Sequence, residues 1–310
     1  VLAHHRPGIH RPCNDNTETT AVRSRPAVAE PLHLWRTALW TVALLNIAAW
    51  CWTAWRVHRA DLPCDANWHG LRRLQLWLSA GYVFGCAFRS VVPVYDIPRL
   101  VMVDAPWSSV LVGRSVATVA ELCFAAQWAL MLKDTTRGGD RPLARLAALQ
   151  IVPLILVAEL CSWYSVLTTS NLGHTIEESL WGTCAALVAA CLLALWPRVA
   201  AHQRPVLALW VVAAGAYALY MFAVDVPMYW HRWLADEAAG RAYLGLGAGV
   251  ADVAGRVHVS TQWEDWKTEV VWMTLYFSVG VWASIGLVHA PRLQLRAVAG
   301  RPRPSPKIAA

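Results

Sequence analysis

The chain has 310 residues, 57% hydrophobic and 15% charged, with a formal net charge of +7. Soluble domains average about 45–50% apolar, and here the excess gathers in runs of about 20 residues, the length that crosses a bilayer, so an ordinary water-soluble enzyme is excluded. The basic charge is nearly all arginine, with only Lys133, Lys267 and Lys307 besides; it lies in tails and short loops, which positive-inside anchoring explains and nucleic-acid binding does not.

The arginine and alanine bias points to a GC-rich bacterial genome, and the expected location is the bacterial cytoplasmic (inner) membrane. Residues 1–33 form a polar tail, expected to be disordered. They hold no apolar stretch of the signal-peptide kind, so the first span is expected to act as signal anchor. His4, His5 and His10 read as solvated tail residues. None of the eight cysteines forms a CxxC pair, and most fall inside apolar runs, where cysteine behaves as a small hydrophobe.

Seven spans are predicted, making an all-α, polytopic membrane helix bundle over residues 34–290. The first runs from Leu34 to Arg56, with Trp35, Trp40, Trp50, Trp52 and Trp55 near its ends as an aromatic belt. The second, Leu71 to Val92, carries Arg89 in its last turn. Residues 93–109 are rich in Pro and Asp and read as a structured loop, with Ser108 or Ser109 capping the next helix. In the third span, Val110 to Leu132, the i, i+4, i+7 spacing puts Arg114, Thr118 and Glu121 on one face. The fourth, Leu146 to Leu167, contains Pro153 and should kink there; Glu159 and Ser162 share a face. The loop 168–174 leads into the fifth span, His174 to Trp196, whose first two turns carry His174, Glu177, Glu178 and Trp181 as one stripe. The sixth, Val206 to Val226, ends at Asp225 and Pro227. A long connector, 228–268, comes next; Trp230, Trp233 and Tyr243 suit an interfacial helix within it. The seventh, Glu269 to His289, precedes a basic tail, 291–310.

Arginines and lysines in the third-to-fourth loop, the fifth-to-sixth loop and the C-terminal tail fall on one side of a seven-span bundle. That side is expected to be cytoplasmic and the N-terminus outside. A retinal protein needs a lysine in the middle of its last span, and Lys267 precedes that span.

This topology gathers charges in the outer half of the bundle, where each costs about 2.5–3.5 kcal/mol on insertion scales. Glu121, Glu159 and Glu178 are the expected acid–base groups. His174, Glu177, Glu178 and His231 are the expected metal ligands. Arg89, Arg114, Asp225 and Glu269 are expected to bind substrate. One histidine among several carboxylates is a hard donor set that suits one or two divalent Fe, Mn, Zn or Ca ions; haem held by His174 and His231 is the alternative cofactor. A purely structural reading of the same residues is an ion-pair network, Arg114 with Glu121 and Arg89 with Asp225 or Glu269. Three functions emerge as expectations: a membrane enzyme, metal-dependent in one form, acting on a lipid-like or apolar substrate; a proton-coupled transporter or ligand sensor; or an accessory subunit of a larger membrane complex. Expected partners are the lipid bilayer and other membrane subunits.

Overall fold

The computed structural model describes residues 31–59, 66–135 and 142–294. Most of the polar N-terminal tail, with His4, His5 and His10, and the basic tail from residue 295 lie outside them. The described chain is an all-α bundle with one small sheet at one end.

Its helices in chain order are α1 (Pro31–Arg59), α2 (Ala66–Val91), α3 (Val110–Thr135), α4 (Pro142–Thr168) and α5 (Asn171–Leu195), then α6 (Arg204–Tyr220). A π-helical turn, Met221–Asp225, joins α6 directly to α7 (Val226–Ala238). A short α8 (Leu246–Gly255) and a single turn α9 (Trp263–Trp266) come after it. The last pass is α10 (Val270–Leu275), a second π-helical turn (Tyr276–Gly280) and α11 (Val281–His289).

Six helical stretches are long and apolar enough to cross a bilayer: Pro31–Arg59, Val110–Thr135, Pro142–Thr168, Asn171–Arg198, Ala201–Ala238 and Val270–His289. The bundle exterior is correspondingly apolar, with Leu44, Leu45, Leu149, Leu160, Leu209 and Leu219 all exposed, a surface that water would not tolerate at this extent. These helices mark a multi-pass membrane protein. Helix α2 packs between α1, α3 and α11 and is long enough to span, but it is too polar to count with the six.

Several helix ends lie a few residues from the sequence reading, and two of these differences bear on the site. The sixth span does not stop at Asp225 and Pro227. Proline carries no N–H and its ring crowds the preceding turn, so it is tolerated best at the start of a helical segment; here it opens α7 directly after the π turn, and helix continues to Ala238. Trp230 and Trp233 therefore belong to this extension rather than to a separate helix in the middle of a connector. The fifth span begins at Asn171, three residues earlier than expected, because Ser170 caps it by accepting a hydrogen bond from the Leu172 N–H. The α4–α5 turn is thus only Thr169 and Ser170, with Thr169 in the left-handed region at φ 63°.

Loops 93–109 and 239–268 form a cap over one end of the bundle. Strand β1 (Val94–Tyr95) pairs antiparallel with β2 (Leu100–Val101), and β2 pairs parallel with β3 (His258–Val259). Arg99 is fully buried beneath this sheet and binds Asp252 of α8 at 3.0 Å. Gly249 seats α8 directly on α4, where a Cβ would stand 2.2 Å from the Leu167 carbonyl oxygen. Ser109 caps α3 by accepting from the Val112 N–H. The six cysteines among the described residues are all free.

Close approach also fixes α4 against α5: a Cβ on Gly173 would lie 2.3 Å from the Cys161 carbonyl oxygen. Gly173→Ala is therefore expected to destabilise by about 1–3 kcal/mol, the usual cost of overpacking, and to lower the thermal midpoint in detergent. Gly215→Ala, where a Cβ meets open space, is expected to leave the midpoint unchanged or raise it, since alanine favours helix.

Candidate functional site

The site is built at the cap end, where α2, α4 and α6 finish and α3, α5 and α10 start. Its centre is Arg114 on α3. One nitrogen, Nη2, donates to three carboxylates on three helices: Glu159 Oε2 of α4 at 2.7 Å, Glu177 Oε1 of α5 at 2.8 Å and Glu121 Oε2 of α3 itself at 3.2 Å. All four side chains are buried. Neighbouring donors add to these contacts, although Glu159 Oε1 is buried without a hydrogen-bond partner among the described residues. Thr118 Oγ1 donates to Glu159 Oε2 at 2.7 Å, and Tyr276 OH donates to Glu121 Oε1 at 2.8 Å. Trp163 Nε1 in turn donates to Thr118 Oγ1 at 3.1 Å.

Glu177 also faces His174, one helical turn earlier, with Nδ1 and Oε2 2.8 Å apart. An ionised carboxylate only accepts, so the ring donates from Nδ1; in the neutral imidazole Nε2 is then the acceptor. The backbone holds this pair still. Ser165 Oγ donates to the Ser170 carbonyl at 2.5 Å and accepts the His174 N–H at 2.7 Å. The imidazole also lies against Tyr229, with ring centroids 5.0 Å apart.

A cavity of about 460 Å³ adjoins this cluster. Its polar end is lined by Arg89, Arg114, Glu121, His174, Glu177 and Glu178, with Asp225, Arg232 and Glu269 across from them. Five tyrosines at 95, 217, 220, 229 and 276 share that end. Tyr95 lies in the cap outside the spans; burial first, and then the neighbouring Glu269 charge, push its phenol up to about 12, so it is a neutral donor at physiological pH. Below the polar end the lining turns apolar along Trp181, Val188, Leu192, Trp210, Ala283 and Leu287. From His174 to Leu192 the cavity follows α5 for about 27 Å, at 1.5 Å per residue.

One flank of the cavity is open. Helix α6 packs on α5, whereas α11 packs on α2, α1 and α3; among the described residues α6 and α11 share no packed interface. Ala213 and Ala216 of α6, and Leu275 and Val279 of the last pass, line the cavity and are also exposed. The two helices approach at the far end, where a Cβ on Gly286 would sit 3.4 Å from Trp210. The last pass is held in place by polar side chains. Asn46 donates to the Phe277 carbonyl at 2.7 Å, satisfying a backbone group at the π turn, and Gln127 joins Ser284 Oγ, its carbonyl and the Gln75 carbonyl.

Most of the sequence-derived site residues converge here. Arg114, Glu121, Glu159, His174 and Glu177 form one hydrogen-bonded cluster. Arg89, Glu178, Asp225 and Glu269 line the adjoining cavity. Glu269 is held by Trp272 Nε1 and by Thr268 Oγ1 at 3.0 Å, with Arg232 Nη2 3.8 Å away. His231 is not part of the arrangement. Two residues along α7 from Tyr229, it points away from His174 and is exposed. The expected pairs of Arg89 with Asp225 or Glu269 are not formed among the described residues. Sequence reasoning overlooked the tyrosines and Arg232. Their signal was present as tyrosines spaced through the sixth and seventh spans, but spacing did not show which faced inward.

No protein family, curated protein or solved structure matches the chain. Its function is therefore argued from geometry alone.

Arg114 is the cation that lets three carboxylates be buried together. Removing one partner of a buried ion pair typically costs about 3–5 kcal/mol, because the other charge stays unpaired. Arg114→Gln is expected to lower the detergent thermal midpoint sharply or to abolish folded protein. The double variant Arg114→Gln/Glu159→Gln is expected to recover part of that loss. A loss in the double variant equal to the sum of the losses in Arg114→Gln and Glu159→Gln alone would show that the two groups are not coupled.

Proposed function

We propose that this is a membrane enzyme that takes an amphiphile from the bilayer through the gap between α6 and the last pass, and performs proton-transfer chemistry on its polar part. The observation that carries this reading is the cavity joining the His174–Glu177–Arg114 cluster to a long apolar channel whose open flank lies among lipid-facing residues. Binding sites of this kind, mostly apolar with a few convergent polar groups, are where ligands are held.

Each role derives from position. Glu177 orients the His174 ring through Nδ1, leaving Nε2 as a base, the arrangement by which a carboxylate sets a histidine's tautomer. Glu178 lines the cavity and has no hydrogen-bond partner among the described residues, so it is free to exchange a proton with a bound molecule. Arg114 keeps Glu159 and Glu121 in place and offsets part of their charge. The topology in this reading is seven crossings, with α2 shielded among α1, α3 and α11. The basic loops face the cytoplasm and the cap faces outward, in a bacterial inner membrane.

The metal-dependent form needs a rearrangement. Oxygens of Glu121, Glu159 and Glu177 lie within 4.8 Å of one another and are able to hold an ion. Arg114 Nη2, however, already stands 2.7 to 3.2 Å from an oxygen of each. A hard cation needs its oxygens at about 2.0–2.6 Å, which would place it in the volume of that nitrogen. The guanidinium is the resident cation in this proposal, and elemental analysis of purified protein is expected to find no stoichiometric metal. A metal present at one per chain and lost on Glu159→Gln would replace this account with the metal-centred one.

A second reading, a proton path, is favoured by the charge count. Asp96, Glu121, Glu177, Glu178, Asp225 and Glu269 outnumber Arg89, Arg114 and Arg232 around the cavity, and intramembrane carboxylates in excess relay protons.

Proteoliposomes made with a total bacterial lipid extract separate the two. The enzyme reading expects lipid species that change over time with wild-type protein and stay constant with His174→Ala or Glu178→Gln, tracked by untargeted mass spectrometry. Unchanged lipids together with a pH-gradient-driven proton flux, lost in Glu178→Gln, would move the assignment to the proton path.

A further inference from the structure

Arg89 is the cavity arginine that lacks a counter-ion among the described residues. It sits in the last turn of α2 and is 3% exposed. It lines the polar end of the cavity, and its Nε has no hydrogen-bond partner. It forms no ion pair among the described residues. The other two cavity arginines are engaged. Arg114 is shared by three carboxylates, and Arg232 stacks over Tyr229 and approaches Glu269. Glu121 is engaged on both oxygens, Oε1 by the Tyr276 hydroxyl and Oε2 by Arg114. Six acidic side chains line the same cavity, yet none of them forms an ion pair with Arg89 among the described residues.

An arginine stays protonated even when buried, and a buried charge without a partner is strongly disfavoured. A guanidinium held this way, at the end of a channel that opens to lipid, is completed by an anion arriving through the channel. We propose that Arg89 binds the anionic head of a single-chain amphiphile, a carboxylate or a phosphate monoester, while its hydrocarbon chain runs along α5 past Trp181 and Val188 to Leu192. This assignment deepens the amphiphile reading above and rests on it. It names the substrate class and gives one residue the role of recognising it. The planar donor fork of arginine suits both head groups, since each offers two oxygens in one plane. Tyr95 and Tyr276 line the same cavity.

The test is equilibrium binding of radiolabelled oleate, oleyl phosphate and oleyl alcohol to the purified full chain in a neutral detergent. Acetate and inorganic phosphate serve as competitors. A charge-assisted hydrogen-bonded pair contributes roughly 10- to 100-fold in affinity. Wild-type protein is expected to bind oleate or oleyl phosphate tighter than the alcohol by that factor. Arg89→Gln is expected to erase the difference while leaving alcohol binding intact, and intact alcohol binding is also the sign that the variant folds. Should Arg89→Gln fail to fold, Arg89→Lys keeps the charge without the fork and is expected to retain only part of the preference. Binding of all three with no preference, or a preference unchanged in the variant, overturns the role of Arg89 and leaves the amphiphile cavity standing. Failure of every long-chain probe to bind overturns the amphiphile cavity itself. Full displacement of oleate by acetate or phosphate at millimolar concentration would mean a small-anion site, and the amphiphile assignment would fall.

Discussion

A single guanidinium nitrogen organises this bundle. Arg114 Nη2 receives one carboxylate from its own helix and one each from α4 and α5. In a medium without water, each of those carboxylates needs a donor, and each donor needs a fixed backbone. The consequences spread outward in order. Thr118 and Trp163 brace Glu159, Tyr276 braces Glu121, and His174 braces Glu177. Three helices and the last pass are thereby held in register by polar contacts, where hydrophobic burial gives no preference because lipid is as apolar as the core.

The same physics explains why the cavity is asymmetric. The last pass is pinned by hydrogen bonds to α1 and α3, through Asn46, Gln127 and Ser284. Helix α6 carries no comparable network among the described residues and leans on α5. The space between them is left open by the cluster. Both helices that border it contain a π-helical turn at the level of the charges, Met221–Asp225 and Tyr276–Gly280. Such turns add a residue to the helical circuit and rotate the side chains beyond it; they occur often at functional sites. Here one turns Asp225 toward the cavity and the other presents Tyr276 to Glu121.

The cap completes the arrangement from outside. Arg99 buried against Asp252, the three short strands, and Gly249 seated on Leu167 join two loops far apart in the chain into one lid over the polar end. With the cap end covered, the cavity opens along the flank between α6 and α11, among exposed apolar residues. The lining is polar at one end and apolar for the rest of its length.

Much of this was legible in the sequence, and for a definable reason. Apolar runs of bilayer length, separated by Pro, Gly and basic loops, specify helices and their order because only hydrogen-bonded helix satisfies the backbone in lipid. Helical spacing put Arg114 on one face with Glu121 and His174 on one face with Glu177, and the cost of burying such charges marked them as partners before any contact was seen. Spacing within a helix does not determine rotation between helices. That is why Arg89 was expected beside Asp225 or Glu269 and stands unpaired among the described residues, and why His231 was grouped with His174 although α7 turns it outward. The continuation of helix beyond Pro227 likewise depended on a π turn, an adjustment made by packing and not encoded in local propensity. The sequence by itself determined the membrane class, the helices and the inventory of charges, all consequences of local periodicity and of the absence of water. Only the tertiary structure decided which charges meet, which one stands without an ion pair among the described residues and where the bundle stays open, because those depend on how helices rotate against one another to satisfy buried polar groups.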